Sequence, residues 1–393
     1  MNEPRPAASD LDKSFDVMAD AGITTYMPWI YKKEYESVCR KYGLTYIPHT
    51  EEKTPQEVSP YLKPDVVSDI VTGFYFRDEP TYDKITGYAS AAQNHQAYYS
   101  DKYFLVNLLP DWIKDRGDGG RFGGNYADYV GHYCDVVFSK ITENRVLSVD
   151  CYPLNADGTM KAEWLTCYET VAEYAKRYNA DFHFYVANTR HWGYRAMDLT
   201  NLRYMVNVAM TYGGNALSYF TYVTYGDYLR QGWDEGIVKN ADGITPTPVF
   251  GIVRQMNSEL LSWDHVFLNF DWETTMCIEG TNGGTNALYR ELCFNAESID
   301  IIDAIKASED TLAGRFTGKN GEIGLMVTNF SDPKDGLTDN VELRLKEANT
   351  AIVYVNGRRS VKTLSDGKLN LSLAAGEAAF IIPIFLHPQS MTR

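Results

Sequence analysis

The stretch Phe74-Tyr75-Phe76-Arg77-Asp78-Glu79-Pro80 decides the fold that we predict for this chain. Its first three residues are aromatic, which is typical of a strand buried on both faces. Two adjacent carboxylates and a proline follow, and a proline cannot donate the hydrogen bond that would extend a central strand. Barrels of alternating strands and helices present their functional groups at such C-terminal strand ends. The stretch therefore predicts a buried parallel strand that ends in acids, although a solvated turn before the next helix is the alternative.

The segments on both sides of this stretch alternate between strand-like and helix-like patterns. The predicted strands are Ile23–Pro28, Leu44–His49, Gly73–Glu79, Tyr103–Leu108, Val146–Tyr152, Phe182–Asn188 and Ala216–Tyr222. The predicted helices are Leu11–Gly22, Tyr31–Tyr42, Pro64–Val71, Tyr82–Ser100, Tyr126–Phe138, Lys161–Tyr178 and Asn201–Tyr212. Strands that alternate with helices indicate parallel βαβ units.

Seven such strands are one fewer than a closed barrel of this type needs. Because the chain opens directly on the first predicted helix, we expect the first strand to lie upstream of Met1. The predicted fold class is therefore α/β, a TIM-type (β/α)8 barrel with its first strand missing. A doubly wound open sheet is the alternative, but no glycine-rich phosphate loop follows an early strand.

The pattern changes from about Asp264, where short strand-like runs replace the alternation with helices. Turn dipeptides such as Asn356-Gly357 and Asp366-Gly367 separate these runs, as in β-hairpins. This composition predicts an antiparallel β-sandwich. We place a barrel domain at residues 1–263 and the β-sandwich domain at residues 264–393.

Composition narrows the partners that the chain can bind. Lys+Arg number 37 and Asp+Glu number 52, a net charge of −15, which argues against nucleic acid and anionic membranes. No apolar run is long enough to span a bilayer, and residues 1–10 have no apolar segment of the signal-peptide kind. No His, Cys or carboxylate cluster has metal-ligand spacing, so we predict neither a metal nor an organic cofactor.

A resemblance emerges when the missing strand is counted, because Gly73–Glu79 then becomes the fourth strand of the barrel. An acid at that strand end resembles the general acid/base of the β-galactosidase-like and cellulase-like superfamily of retaining (β/α)8 glycoside hydrolases. The segments Ala19–Thr24, Ser148–Pro153 and Gly213–Tyr222 are also similar to that superfamily. The resemblance implies a carbohydrate substrate, hydrolysis of glycosidic bonds, and a β-sandwich of the kind seen at Gly321–Pro383.

The sequence departs from this superfamily at Phe182–Asn188, which is strand seven when the missing strand is counted. In the superfamily, the last residue of strand seven is the glutamate nucleophile. Here the strand ends at Asn188 and carries no acid. The second carboxylate must therefore come from elsewhere, or the site is not a retaining one. A non-catalytic carbohydrate-binding protein on the same barrel is the alternative function that this departure leaves open.

Hydrolysis of a glycosidic bond needs two carboxylates, one neutral and one ionised. We predict Glu79 as the acid, because partial burial among Tyr75 and Phe76 would raise its pKa. Asp150, at the end of strand six, is the predicted partner. Adjacent Asp78 and Glu79 also resemble substrate-assisted hexosaminidases, in which an aspartate steers an acetamido group. That mechanism requires a twist or bulge at the strand end, because neighbouring residues of a regular strand face opposite sides.

The remaining candidates lie at strand ends or in the loops that follow them, where polar and aromatic groups could meet a sugar. The predicted substrate-binding residues are His49, Asn107, Tyr152, Asn188, Arg190, Trp192, Tyr222 and Trp233. If neither Asp150 nor Asp78 partners Glu79, the reserve candidates are Asp227, Asp234 and Glu235.

Overall fold

The computed structural model describes residues 10–116, 121–282, 292 and 294–385. The chain divides into two compact units, each described by itself below. The first comprises Met1–Met197 and Asn215–Asn257, and the second comprises Asp198–Gly214 and Ser258–Arg393. No helix within the described ranges is long and apolar enough to cross a membrane.

Seven parallel strands form the centre of the first unit. They are β1 (Thr25–Tyr26), β2 (Thr45–Tyr46), β3 (Gly73–Asp78), β4 (Tyr103–Leu108), β5 (Val146–Asp150), β6 (Asp181–Ala187) and β7 (Ala216–Phe220). Strands β3 to β7 form one sheet in chain order, and β1 pairs with β2. Two isolated parallel bridges, Tyr46 to Val71 and His49 to Tyr75, link β2 and its following loop to β3 and its approach.

This sequential parallel order is that of a TIM-type barrel, and the predicted fold class is confirmed. A doubly wound sheet would reverse its strand order at a switch point, which this order does not do. Within the described part of the chain no strand pairs with the outer edge of β1 or of β7. The first strand upstream of Met1 stays a prediction.

Helices separate the strands as the βαβ pattern requires. They are α1 (Leu11–Asp20), α2 (Lys33–Tyr42), α3 (Pro55–Val58), α4 (Tyr82–Thr86), α5 (Ala89–Tyr99), α6 (Tyr126–Tyr133), α7 (Trp164–Tyr178), α8 (Leu199–Thr211), α9 (Gly226–Arg230), α10 (Pro248–Leu261) and α11 (Asp264–Phe267). Of these, α8, α11 and residues 258–261 of α10 belong to the second unit. Strands β4 and β6 are buried along nearly their whole length, as expected of parallel strands covered on both faces.

Four predicted elements differ from the structure. The helix predicted at Pro64–Val71 is wrong: the chain there makes turns and a single bridge at Val71. Its four β-branched residues, three valines and Ile70, and its short polar residues favour non-helical backbone. The helix predicted at Tyr82–Ser100 is interrupted after Thr86, where α4 ends. The first two predicted strands shrink to two residues each, β1 and β2.

The end of β3 departs from a regular strand in a way that positions the acids. The register between β3 and β4 shifts between Tyr75 and Arg77, which is a β-bulge. The Tyr75 hydroxyl donates to Asp78 Oδ1 at 2.7 Å, so these two side chains lie on the same side of the sheet. Glu79 follows with φ +42°, in the left-handed region that few non-glycine residues adopt.

The second unit contains the predicted β-sandwich. Its strands are β8 (Phe270–Ile278), β9 (Ile302–Ala307), β10 (Thr311–Gly318), β11 (Ile323–Asn329), β12 (Asp339–Leu345), β13 (Ala348–Val355), β14 (Arg358–Thr363), β15 (Lys368–Leu373) and β16 (Ala378–Phe385). They form a six-stranded sheet, β14-β13-β16-β11-β10-β8, and a three-stranded sheet, β15-β12-β9. Strand β12 alternates buried and exposed residues, and its Val341 and Leu343 share one core with Leu325 and Ile381 of the larger sheet.

Candidate active site

The Asn107 side chain joins the two candidate aspartates. Its Nδ2 donates to Asp78 Oδ1 at 3.2 Å and to Asp150 Oδ1 at 3.0 Å. Because both oxygens share one nitrogen, they lie within about 6 Å of each other. Asn107 is buried at the end of β4, directly opposite Asp78 in the β3–β4 ladder. The fold therefore brings together three of the predicted residues, Asp78, Asn107 and Asp150.

The environment of Asp150 strongly disfavours its ionised form. Burial raises its pKa well above the usual value, and the negative charges of Glu79 and Asp78 raise it further, while the hydrogen bond from Asn107 opposes this shift. The protonated form of Asp150 is thus favoured to a higher pH than that of an ordinary aspartate. Carboxylates whose environments separate their pKa values divide naturally into a proton donor and an ionised partner.

Three tyrosines surround the aspartates on the inner side of the strands. Tyr75, Tyr152 and Tyr185 belong to one buried apolar cluster. Burial, with the charge of Asp78 or Asp150 adding to it, raises the pKa of each phenol well above its usual value. These hydroxyls therefore remain neutral, and the charges of the site come from its carboxylates.

Glu79 differs from its predicted environment. We expected partial burial among Tyr75 and Phe76, but the structure leaves Glu79 exposed at the rim. The reason is local: the chain turns out of the strand at this residue, and only its backbone N–H, which donates to Asn107 O at 2.9 Å, continues the ladder. The charge of Glu79 still contributes to raising the pKa of Asp150. Glu79 is therefore an exposed carboxylate near a half-buried one.

An aromatic stack lies beside Asp78. The His49 ring lies parallel to the Tyr75 ring, with 3.8 Å between centroids, and the Trp29 ring lies 4.3 Å from His49 on a tilted plane. Burial lowers the pKa of His49 to about 3, so His49 is a neutral aromatic surface at ordinary pH. Trp29 is 40 % exposed and follows β1. A ring of this kind suits the apolar face of a sugar.

The residues after β6 contribute to a second aromatic group, which includes the predicted residues Trp192, Tyr152 and Trp233. His191 contacts the Tyr152 and Trp233 rings, at centroid distances of 5.8 and 4.5 Å. Trp233 is buried, whereas Trp192 is 69 % exposed. Arg190 binds both carboxylate oxygens of Asp234, at 2.9 and 2.7 Å.

Asn188 and Tyr222 have structural hydrogen bonds in this fold. Asn188 is fully buried and its Nδ2 donates to Thr221 O at 3.0 Å, which ties the ends of β6 and β7 together. The Tyr222 hydroxyl donates to Ser14 O at 3.0 Å, on α1. Both residues stay predictions as substrate ligands. The side-chain hydrogen bonds described above go to the protein's own backbone.

The reserve acids are engaged with neighbours in the loop after β7. Asp227 pairs with Arg230, and Asp234 pairs with Arg190. Glu235 accepts a hydrogen bond from the backbone N–H of Asn240 at 2.8 Å. The charges that raise the pKa of Asp150 are instead those of Glu79 and Asp78.

Sequence reasoning missed four residues of the site region: Trp29, Ser148, His183 and Ser218. Ser148 is two residues before Asp150, and His183 is two residues before Tyr185. The period of two along a strand puts each pair on one face, so alternation within β5 and β6 was the available signal. Trp29 directly follows the predicted strand Ile23–Pro28, so its position after a strand end was the available signal. Across the described ranges no three His, Cys, Asp or Glu side chains form a group that could hold a metal ion.

Comparisons with known proteins concern the fold. No protein-family model matches the sequence, and no curated protein matches it. Among solved structures, the chain is similar to an endoxylanase of glycoside hydrolase family GH30 from Clostridium papyrosolvens, with 10 % identity over 95 % of this chain and 92 % of that chain and a TM-score of 0.44. It is also similar to a GH27 β-L-arabinopyranosidase from Geobacillus stearothermophilus, with 9 % identity over 99 % and 95 % of the chains and a TM-score of 0.43.

A third similar structure is a 4-O-α-L-rhamnosyl-β-D-glucuronidase from Fusarium oxysporum. Its identity is 9 %, over 95 % of this chain and 91 % of that chain, with a TM-score of 0.42. By their descriptions all three proteins are glycoside hydrolases, the class that the sequence resembles. At these identities and TM-scores no activity or site residue transfers to this chain.

Proposed function

We propose that this protein hydrolyses O-glycosidic bonds at the C-terminal ends of β3, β4 and β5. One observation carries the proposal: a half-buried carboxyl of raised pKa, Asp150, lies beside the carboxylates of Asp78 and Glu79 at one strand-end rim. Glycoside hydrolysis requires a neutral and an ionised carboxyl flanking the scissile bond. The exposed rings of Trp29 and Trp192 supply aromatic surface for sugar rings.

The proposed roles follow from the two environments. Asp150, kept neutral by burial and by its negative neighbours, is the proton donor to the leaving oxygen. Glu79, exposed at the rim, is the ionised group that acts on water or on the anomeric carbon. This assignment reverses the roles expected from the sequence, because the expected burial of Glu79 is not found. Asp78, held by Tyr75 and Asn107, sets the charge around Asp150.

A substrate-assisted mechanism is the second candidate, favoured by the irregular end of β3. The left-handed backbone at Glu79 supplies the irregular strand end which the mechanism requires, and the bulge at Phe76 puts Asp78 on the side of Tyr75. In this version Asp78 steers the acetamido group of the sugar, the acetamido oxygen attacks the anomeric carbon, and Glu79 donates the proton.

The test is a panel of aryl glycosides in matched pairs with and without a 2-acetamido group. Turnover of ordinary glycosides supports the two-carboxylate mechanism, and turnover confined to the acetamido members supports substrate assistance. Measurable binding of glycans with no turnover of any member would overturn hydrolysis and leave the non-catalytic carbohydrate-binding protein.

Removing the charge of Asp78 should move the pH profile in a defined direction. If Asp150 donates the proton, activity falls as pH rises through the pKa of Asp150. Asp78→Asn removes a negative neighbour that raises this pKa. We therefore expect the alkaline limb of kcat/KM to shift by about one unit toward lower pH. An alkaline limb that stays in place or moves upward would contradict the assigned donor.

A further inference from the structure

A row of polar residues crosses four neighbouring strands beneath the carboxylates. In the parallel ladders Asp78 lies opposite Asn107, Asn107 opposite Ser148, and Ser148 opposite His183. The row continues to β7, where Ser218 Oγ lies 2.8 Å from His183 Nε2. Asn107, Ser148 and His183 are all buried. The Asn107–Ser148 and Ser148–His183 hydrogen bonds are therefore buried, whereas the hydrogen bonds at the two ends of the row are partly buried.

The donors and acceptors of this row can be assigned from one end. Asn107 Nδ2 donates to both aspartates, so its Oδ1 faces the other way and accepts from Ser148 Oγ at 2.9 Å. A serine hydroxyl has a single proton. Because that proton goes to Asn107, Ser148 Oγ must accept from His183 Nδ1, 2.8 Å away.

The same counting fixes the far end of the row. Burial lowers the pKa of His183 to about 4, so at neutral pH the ring carries one proton. That proton is on Nδ1, and Nε2 is therefore an acceptor. Ser218 Oγ must then donate to Nε2. All donors point the same way, from β7 toward Asp78 and Asp150.

From this geometry we infer that Ser218, His183 and Ser148 are positioning residues that hold the Asn107 amide with its N–H groups toward Asp78 and Asp150. A flipped amide would direct Oδ1 at two carboxyl oxygens and leave the buried Ser148 hydroxyl without its acceptor, and an unpaired buried polar group is costly. The catalytic consequence rests on the proposed function, whereas the orientation of the amide does not. The orientation depends on the tautomer of His183. With the proton on Nε2, Nδ1 would accept from Ser148, which could then no longer donate to Asn107.

The first test is the tautomer itself, read from the ring ¹⁵N chemical shifts of His183 in the wild-type protein. We expect the Nδ1–H form. In Ser148→Ala, Nδ1–H loses its acceptor, whereas Ser218 Oγ can still accept from a proton on Nε2. We therefore expect the Nε2–H form to appear in this variant, and Ser148→Thr, which keeps the hydroxyl, to retain the wild-type tautomer. A wild-type ring in the Nε2–H form would overturn the inference without any variant.

The second test follows the carboxyl of Asp150 by ¹³C titration, together with turnover. The hydrogen bond from Asn107 lowers the pKa of Asp150. Loss of the Ser148 donor to Asn107 Oδ1 in Ser148→Ala should weaken this bond and move the titration, and the alkaline limb of activity, to higher pH. The charged and titratable groups that influence Asp150 here are Asp78 and Glu79, with the neutral phenols of Tyr75, Tyr152 and Tyr185. We expect kcat to fall about 10–100-fold with little change in KM.

The control is Tyr219→Phe, on β7 next to Ser218. Its hydroxyl donates to Asn257 Oδ1 at 2.7 Å and takes no part in the row. This variant should leave the His183 tautomer and the Asp150 titration unchanged. Ser148→Ala matching the control in both readouts would overturn the inference. A protein without turnover, in which tautomer and titration still respond to Ser148→Ala, would refute the proposed hydrolysis while supporting the positioning row.

Discussion

Asp150→Asn should lower kcat/KM by about 10²–10⁴-fold, because it removes the proposed proton donor while keeping the shape of the side chain. The alkaline limb of the pH profile should disappear with it. The measurement is steady-state kinetics on whichever aryl glycoside the wild-type protein hydrolyses best. Asp157→Asn is the control: Asp157 lies exposed in the loop that follows β5, with its carboxylate bound to Thr159, and its variant should keep full activity.

Asp150→Asn should also stabilise the protein at neutral pH. The pKa of Asp150 is raised in the folded state, so its contribution to stability is fully present below the unfolded-state pKa and is lost as pH rises through the folded-state pKa. Asparagine carries no such cost at pH 7. We expect Tm to rise by about 2–4 °C for each ~1 kcal/mol recovered, and the difference from wild type to vanish near pH 3. Equal stability at pH 7 with loss of activity would contradict the raised pKa.

Glu79→Gln is the second substitution with a large expected effect. It removes the ionised partner, so turnover should fall by about 10²–10⁴-fold while sugar binding remains nearly intact. Because Glu79 is exposed, Tm should be almost unchanged, which separates this variant from Asp150→Asn. Binding is measured by calorimetry and turnover by product release.

The control for this variant is Glu51→Gln, an exposed glutamate in the loop after β2. It should be neutral in turnover and in binding. Glu79→Gln and Asp150→Asn that both retain full activity would refute the proposed site and move the search to Asp227, Asp234 and Glu235.

The barrel could be predicted from the sequence because its strands are buried on both faces and read as continuous apolar runs. Tyr103–Leu108 was predicted to the residue and is β4. Asn107 and Asp150 were predicted at one rim because parallel strands bring their C-terminal ends together. Strands β1 and β2 were overestimated because apolar composition alone does not show where a ladder stops.

The electrostatics of the site could not be predicted in the same way. A bulge depends on how β3 meets β4, which no local pattern of residues specifies. The exposure of Glu79 follows from that irregular strand end. The row from Ser218 to Asn107 depends on register across four strands, and a shift of one residue in any ladder would turn its members to the other face.

The bulge also has a consequence for how this segment tolerates changes in length. In the β3–β4 ladder Tyr75 pairs with Leu105 and Arg77 with Val106, so Phe76 is the residue without a partner. Its ring packs instead against Tyr88 and Phe104, at centroid distances of 5.1 and 4.7 Å. Deletion of Phe76 would remove this packing, but Asp78 would keep its place opposite Asn107. The length of β3 can therefore change by one residue at the bulge without moving Asp78.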